Sequence, residues 1–290
     1  MHRSKVSERT VRTVVQVAAV AAVVCVVLGF FLATAGAEGR RGLLNYREEV
    51  GLLVDAPGAS ASVAAGLFNP GALGTLQGGG YFLGWSDRTA LRDEPKDWLA
   101  ILARRPLSFS MQRFQLVDAD GNQKHLDEYT VGLYSGNRAH SGGISYSWSR
   151  CNCSAMERHR RLTLGHVSRW RWLSMGLSGA FDLERQDNYA QADIGIRPIG
   201  PRVTFFADAV IRYGESREDV TAGYGIEARP VQGLTLAGKL RNDGDYSLRL
   251  ELGLSGKLRA GGRVHFNKDG DHIGTSYALE EAAYRCDAAY

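Results

Sequence analysis

Strict alternation of apolar and polar residues is the feature that most limits how this chain can fold. Leu173, Met175 and Leu177 share one parity, and Ser174 and Gly176 take the other. After a short polar break, the same alternation resumes from Ala190 to Ile196. A period of two is typical of an extended strand with one apolar and one polar face. Two such strands joined by a few polar residues predict an antiparallel hairpin.

The alternation recurs along most of the remaining chain, and its repeat length suggests a membrane. Each predicted strand has about ten residues, which suits a tilted strand that crosses a bilayer. Counting from Ala59 to Leu279 gives about fourteen strands, within two, and no long amphipathic helix is predicted after residue 37. The chain has 35 Gly and only 7 Pro, which favours a large, curved antiparallel sheet. We therefore predict an all-β chain that forms an up-and-down transmembrane β-barrel.

Periodicity defines two faces without saying which one meets solvent. A soluble β-sandwich that buries its apolar face would show the same alternation. Consecutive hairpins favour a closed barrel without edges, whose apolar face points to lipid. Aromatic residues near predicted strand ends, such as Trp148, Trp170, Trp172 and Tyr213, are typical of interfacial girdles. The membrane barrel is the favoured interpretation, and the soluble periplasmic sandwich that binds a partner is the alternative.

The first 37 residues differ from the rest. Arg3, Lys5, Arg9 and Arg12 precede an uncharged apolar stretch that ends in Ala35-Gly-Ala37. This order is typical of a secretory signal peptide, with an uncleaved apolar membrane helix as the alternative. We expect three parts: a leader over 1–37, a lead-in segment over 38–58 and a β-barrel domain over 59–290. Either form of leader predicts export, here to the bacterial outer membrane.

Two stretches of the sequence resemble known families, and together they cover most of residues 59–280. "GLFNPGALGTLQGGGYFLGWSD" is similar to the N-terminal signature of outer-membrane barrels of the long-chain fatty-acid transporter type, through Asn69, Pro70 and Leu73. Gly71 stands where that signature usually has Ala. This resemblance implies a barrel of about fourteen strands, consistent with the count above.

The later stretch from Arg171 to Leu254 resembles the barrel-like region that precedes the protease domain of some bacterial signal peptide peptidase A-like proteins. The shared feature is the rhythm of "GLTL" and "DGDYSL". The resemblance implies a non-catalytic barrel module, because the protease's catalytic residues have no counterpart here. A module of this kind is an alternative to a transporting barrel.

Motifs for chemistry are few, and we expect no enzyme activity. The sequence lacks G-x-S-x-G, H-E-x-x-H and P-loop motifs, and the net charge of +4 does not suggest nucleic-acid binding. "DADGN" at 118–122 begins like a calcium loop but has Tyr129 at the twelfth position, so a hairpin turn is expected. Cys151, Cys153 and Cys286 allow one disulfide and are too few for a metal site. No cofactor or metal is predicted.

The polar face is predicted to line a lumen, and its charges define the candidate site. The candidate lumen-lining residues are Arg197, Arg202, Asp208, Arg212, Glu227, Arg229, Lys239, Arg241, Arg249, Glu251, Arg259 and Arg263. Such a lumen is either a narrow, weakly selective pore or a closed scaffold joined by salt bridges. The sequence thus predicts an outer-membrane passive channel or transporter for small solutes, hydrophobic ones included.

Two further expectations concern partners and the last strand. The basic run Arg158–Arg161, with Arg169 and Arg171 nearby, is interpreted either as a solvated rim or as a contact for lipopolysaccharide phosphates. Membrane lipid and a small-molecule solute are the expected partners, and the sequence leaves the oligomeric state open.

The final predicted strand has an irregular pattern, because "EE" and "RCD" interrupt the alternation of apolar and polar residues near the C-terminus. This interruption predicts an incomplete barrel or a fragment.

Overall fold

The computed structural model describes residues 56–76, 78–88, 97–117, 123–151, 159–184, 188–216 and 220–282. Fourteen antiparallel strands make up most of these residues. In chain order they are β1 Gly79–Arg88, β2 Asp97–Arg104, β3 Leu107–Val117, β4 Gln123–Gly136, β5 His140–Cys151, β6 Arg160–Arg169, β7 Leu173–Asp182, β8 Tyr189–Ile196, β9 Val203–Arg212, β10 Thr221–Ala228, β11 Leu234–Arg241, β12 Tyr246–Gly253, β13 Leu258–Phe266 and β14 His272–Ala282.

Each strand pairs with its neighbours in sequence, and β14 pairs with β1, so the sheet closes on itself. Closure removes both free edges, which would otherwise expose unpaired backbone groups. The up-and-down barrel and the strand number are therefore confirmed. The alternative of a soluble sandwich is wrong, because one closed sheet replaces the two packed sheets that a sandwich requires.

The two faces of the sheet have the polarity of a barrel in lipid. Leu248, Leu250 and Leu252 of β12 are exposed on the outside, while Ser247 and Arg249 are buried inside. The same pattern holds on β5, where exposed Ile144 and Tyr146 alternate with buried serines. An apolar exterior and a polar interior invert the arrangement of a water-soluble barrel.

Residues 56–76 lie inside the barrel and are named here the plug segment. They form two 3-10 helices, Val63–Leu67 and Pro70–Thr75, whose residues are all buried. The prediction that strands begin at Ala59 was wrong, since the first strand starts at Gly79. The apolar pattern of 59–76 reflects burial in the lumen, and caps from Ser62 and Asn69 with Pro70 favour helical turns over a strand.

The last strand is complete, which corrects the expectation of an unfinished barrel. β14 pairs with β13 on one side and with β1 on the other, and the β1 pairing extends from Gly80↔Ala282 to Arg88↔Gly274. Glu280, one of the residues that interrupt the alternation, points inward and accepts the backbone N–H of Val63 at 2.5 Å. The irregular charge thus has a partner in the plug segment.

The two ends of the barrel differ in the length of their connections. The connections at the end where β1 begins and β14 ends have two to six residues, and those at the opposite end have four to eight. We call these the short-turn end and the long-turn end.

Several predictions lie outside the described residues. These are the leader over 1–37, most of the 38–58 lead-in, the 118–122 turn, Arg158, Cys153, Cys286 and the C-terminal residues after Ala282. Helices in the described part of the chain are short 3-10 turns, and none has the length and apolar content needed to cross a membrane.

Candidate functional site: the lumen and its plug segment

The wall that faces the plug segment is built from small residues. Gly143 on β5, Gly165 on β6 and Gly176 on β7 point inward, where a side chain would overlap Pro70, Asn69 and Asp193 respectively. Serines alternate with these glycines on β5 and β7 and are buried. Small polar side chains leave room for the plug segment and still hydrogen-bond inside a polar lumen.

Asn69 fastens the plug segment to two strands. Its side-chain Nδ2 donates to the carbonyls of His166 and Leu177, each at 3.1 Å, and its Oδ1 accepts the N–H of Gly71 at 3.0 Å. The residue is 1% exposed. Three hydrogen bonds therefore satisfy a buried amide that would otherwise be costly to bury.

Pro70 and Leu73 complete the predicted motif by packing. Pro70 lies against the backbone of Gly143 and Gly165. Leu73 joins the main apolar cluster with Val63, Phe68, Leu99 and other buried residues. The motif recognised in the sequence thus forms the contact between plug segment and wall, whereas it was expected within the strand region of the barrel domain.

The beginning of the plug segment is held by charged side chains. Gly58 donates its N–H to Asp193 Oδ1 at 2.9 Å and accepts a hydrogen bond from Arg169 Nε at 2.9 Å. Arg169 also donates to the Ser60 carbonyl, and Arg197 Nη2 donates to the Ala59 carbonyl at 3.1 Å. The candidate residue Arg197 therefore binds the plug segment.

The other end of the plug segment is held in a similar way. Arg105 Nη2 donates to the Gly74 carbonyl at 2.5 Å, and Ser141 Oγ donates to the Gly71 carbonyl at 2.6 Å. Together with Glu280 and Asn69, these contacts join the plug segment to β5, β6, β7 and β14 and to the β2–β3 turn. Such a distribution resists a rotation of the segment about any single contact.

We predict that Asn69→Ala weakens the native state by about 2 kcal/mol, because the His166 and Leu177 carbonyls lose their donor inside the lumen. Urea unfolding of the refolded protein measures the change. Asn137→Ala is the matched control, because Asn137 caps an exposed turn through the N–H groups of Ala139 and His140. Equal losses in the two variants would show that the buried amide has no special role.

We call the inward face of β9 to β13 the charged wall. It lies across the lumen from the main contacts of the plug segment. Glu227 lies between two arginines, accepting from Arg249 at 3.0 Å and from Arg229 at 2.9 Å. Asp208 pairs with Lys239 at 2.7 Å. Glu227–Arg249 joins β10 to β12 and Asp208–Lys239 joins β9 to β11, so each pair spans the strand between its partners and braces the wall.

The remaining candidates take several positions. Arg212 is half-buried and pairs with Glu215 at 3.0 Å, and Arg241 pairs with Asp243 at 2.9 Å, both near the long-turn end. Arg263 is buried, and Glu251 and Arg259 are half-buried on the inward face. Arg202 differs, because it lies exposed in the β8–β9 turn outside the strand interior.

A small cavity separates the plug segment from the charged wall. Pro57 and Phe68 line it on the plug side, with Asp208, Lys239 and Arg263 among the residues opposite. Its free volume of about 40 Å³ accommodates a few water molecules but no sugar-sized solute. In this conformation the described lumen is narrow at this level.

A buried polar cluster lies on the other side of the lumen toward the long-turn end. Glu128 and His159 approach to 3.6 Å, and both are almost fully buried. Arg161 is completely buried, and its guanidinium lies 5.3 Å from the ring centre of Tyr189. These side chains fill the interior beyond the plug segment, and the candidate lumen-lining residues predicted from the sequence do not include Glu128, His159 or Tyr189.

Sequence analysis also missed the residues that hold the plug segment. Asp193 lies on the polar face by its parity with Gln191, but its bond to Gly58 depends on a fold that brings together residues 135 positions apart. Arg105, Ser141 and Arg169 carry no local signal for this role. An inward glycine beside a serine, as on β5 and β7, was the available hint that another backbone approaches closely.

Cysteine and metal chemistry adds little to the site. Cys151, at the end of β5, is in a disulfide whose partner lies outside the described residues. Among the described residues, no group of three or more His, Cys, Asp or Glu side chains is arranged to hold a metal ion.

Comparisons with known proteins give matches among solved structures alone. No family model and no curated protein matches the sequence. Among solved structures, one multiple mutant of the Rhodopseudomonas blastica porin aligns with a TM-score of 0.40 and 7% identity over 70% of this chain and 98% of that one. A triple mutant of the same porin gives 0.39 and 8% over 71% and 98%. The architecture described above stands on the strand pairing of this chain itself.

Proposed function

We propose that this chain is a bacterial outer-membrane β-barrel that acts as a passive channel for small solutes, with the plug segment restricting its lumen. The observation that carries the proposal is the combination of an apolar exterior all around a closed barrel with a charged interior. A closed barrel satisfies every strand edge internally, as hydrocarbon requires. The charged wall offers a charge-lined route beside the plug segment in the described lumen.

The proposed path runs between the plug segment and the charged wall. On this side the plug segment presents Pro57 and Phe68, which are held by packing. Its hydrogen-bonded contacts are with β5 to β8, with β14 and with the β2–β3 and β8–β9 turns. A small shift of the segment would therefore widen the cavity without breaking the barrel. The resemblances to transporter-type and peptidase-type barrels stay predictions, as does export through the N-terminal leader.

The charge on this path predicts selectivity for anions. Arg202 lies outside the strand interior and Arg197 binds the plug segment. Of the other ten candidate residues, seven are basic and three are acidic. The acidic residues Asp208 and Glu227 are both paired with cations. An excess of fixed positive charge attracts small anions into a water-containing lumen.

Glu227→Gln should therefore increase the ratio of chloride to potassium permeability. One charge about 8 Å from an ion in water is worth about 0.5 kcal/mol, so we expect a change on the order of twofold. Reversal potentials across planar bilayers under a KCl gradient measure the ratio. Glu184→Gln is the control, because Glu184 pairs with Arg160 in the exposed long-turn region. A fall in anion preference, or an equal shift in the control, would contradict the path.

The plug segment also favours a second candidate function, a closed scaffold. The segment is held by hydrogen bonds from Gly58 to Gly74, and it fills much of the described lumen. Single-channel recording of the unaltered protein separates the two functions, because a scaffold gives no current. Insertion must be established in the same sample through heat-modifiable migration on a gel.

A further inference from the structure

The turns at the short-turn end carry positive charge that nearby acidic residues of the same turns do not balance. The five turns from β2–β3 to β10–β11 at this end contain Arg105, Arg138, Arg171, Arg197, Arg202 and Arg229, and no acidic residue. The long-turn end has a different character, with Asp243, Asp245, Asp269 and Asp271 in the two turns of β11–β12 and β13–β14. The positive charge of the short-turn end is therefore local to that end of the barrel.

Three of these six arginines contact partners inside the barrel. Arg105 and Arg197 bind the plug segment, and Arg229 pairs with Glu227. Arg138, Arg171 and Arg202 are exposed, and their side chains make no ion pair with any described residue. We call these three residues the arginine arc. They lie in the β4–β5, β6–β7 and β8–β9 turns, and turns two strands apart are separated by about 10 Å.

Large apolar side chains lie beside two of the three residues of the arginine arc, Arg171 and Arg202. Trp170 and Trp172 flank Arg171, and Ile199 precedes Arg202 by three residues. Trp172 is 61% exposed and Ile199 is 66% exposed. Exposed tryptophans beside cations are typical of the membrane–water interface, where the ring meets acyl chains and the charge meets headgroups.

A polar cluster on the outer wall marks the same level. His140 Nδ1 and His166 Nε2 each lie 3.0 Å from Ser168 Oγ. The three side chains point outward, since the neighbouring Ser141 and Val167 point to the plug segment. Trp170 packs edge-on against His140, with ring centres 5.8 Å apart. Because imidazoles and hydroxyls are costly in hydrocarbon, this part of the wall belongs at headgroup depth.

We propose that the arginine arc and this His–Ser–His cluster bind the phosphate headgroups of anionic phospholipids in the leaflet at the short-turn end. The inference rests on the proposed placement in a membrane. Short turns of bacterial barrels face the periplasm, so the relevant leaflet is the phospholipid-rich one on that side. Each arginine can meet a separate headgroup, since the spacing of the turns exceeds the reach of one phosphate. The imidazoles and the hydroxyl supply further hydrogen-bond donors beside the charge.

The test compares two lipids with identical acyl chains, phosphatidylglycerol and phosphatidylcholine. The refolded full chain is incubated with an equimolar mixture, and retained lipids are counted by native mass spectrometry. Cations near a lipid surface favour anionic headgroups by roughly fivefold each, so we expect phosphatidylglycerol to be preferred at least about tenfold. The preference should weaken at high salt. The triple variant Arg138→Gln, Arg171→Gln, Arg202→Gln should retain the two lipids within about twofold of each other.

A triple variant with the same loss of charge at the long-turn end is the control: Arg150→Gln, Arg160→Gln, Lys268→Gln. It should keep the preference of the unaltered protein. Equal retention of both lipids by the unaltered protein, or an equal loss in both triple variants, would overturn the proposal. Equally effective competition by soluble glycerol phosphate would also overturn it, because the site would then recognise a free phosphate. Flotation with vesicles tests membrane placement separately, so failure to float would reject the proposed function instead.

Discussion

Gly165→Val is expected to release the plug segment and raise the single-channel conductance several-fold. A side chain at this position would overlap Asn69 Oδ1 and Pro70 Cδ. β6 is fixed by pairing with β5 and β7, whereas the plug segment is held by separate contacts. The segment should therefore yield before the wall does. Overlap of this kind costs about 1–3 kcal/mol, which a complete barrel tolerates.

Planar-bilayer recording of the refolded variant measures the effect, and heat-modifiable migration verifies that the barrel has formed. Gly179→Val is the control, because Gly179 lies on the outer face of β7 and its nearest contact is an ordinary one with the Phe181 ring. The control should conduct like the unaltered protein. If Gly165→Val folds and its conductance is unchanged, the plug segment does not restrict the lumen.

Leu250→Arg should destabilise the protein in lipid vesicles by about 2–4 kcal/mol. Leu250 is 46% exposed on the outer face of β12, in the middle of the barrel wall. In a membrane its environment is hydrocarbon, where a guanidinium loses its hydration. Equilibrium unfolding by guanidinium chloride in vesicles gives the free energy of unfolding.

The same substitution at Leu254 is the matched control. Leu254 is 60% exposed but follows β12 in the short-turn connection, where headgroups and water are accessible. We expect a cost of about 0–1 kcal/mol there. Similar small costs at both positions would mean that the exposed apolar face meets water or protein, and the channel proposal would lose its basis.

The strands of the barrel wall, and the face that each side chain occupies, could be predicted from the sequence alone. The period of two identifies strands, and consecutive polar turns predict that each strand pairs with the next. Leu248 and Arg249 illustrate this, because their neighbouring positions require opposite faces in any sheet. Counting from Ala59 predicts about fourteen strands, within two, and the structure has fourteen although its first strand starts at Gly79. Such a count is possible because an up-and-down barrel uses only contacts between neighbours in sequence and one closing pair.

Interior charges were also predictable as a set, but their partners were not. Glu227 and Arg249 face the same side by parity, and their 3.0 Å contact depends on the register of β10, β11 and β12. Arg202 shows the limit of parity, because it falls in a turn where the strand pattern no longer applies.

The conformation and position of the plug segment depend on tertiary structure. Residues 59–76 are apolar and Gly-rich, which is compatible with a strand facing lipid and with a helix buried in a lumen. Only a closed barrel with Gly143, Gly165 and Gly176 on its inner wall provides the space that the segment fills. The sequence determined which face of each strand is apolar, because side chains alternate along any strand. What occupies the lumen depended on long-range contacts, such as Gly58 with Asp193 and Val63 with Glu280, which no local pattern encodes.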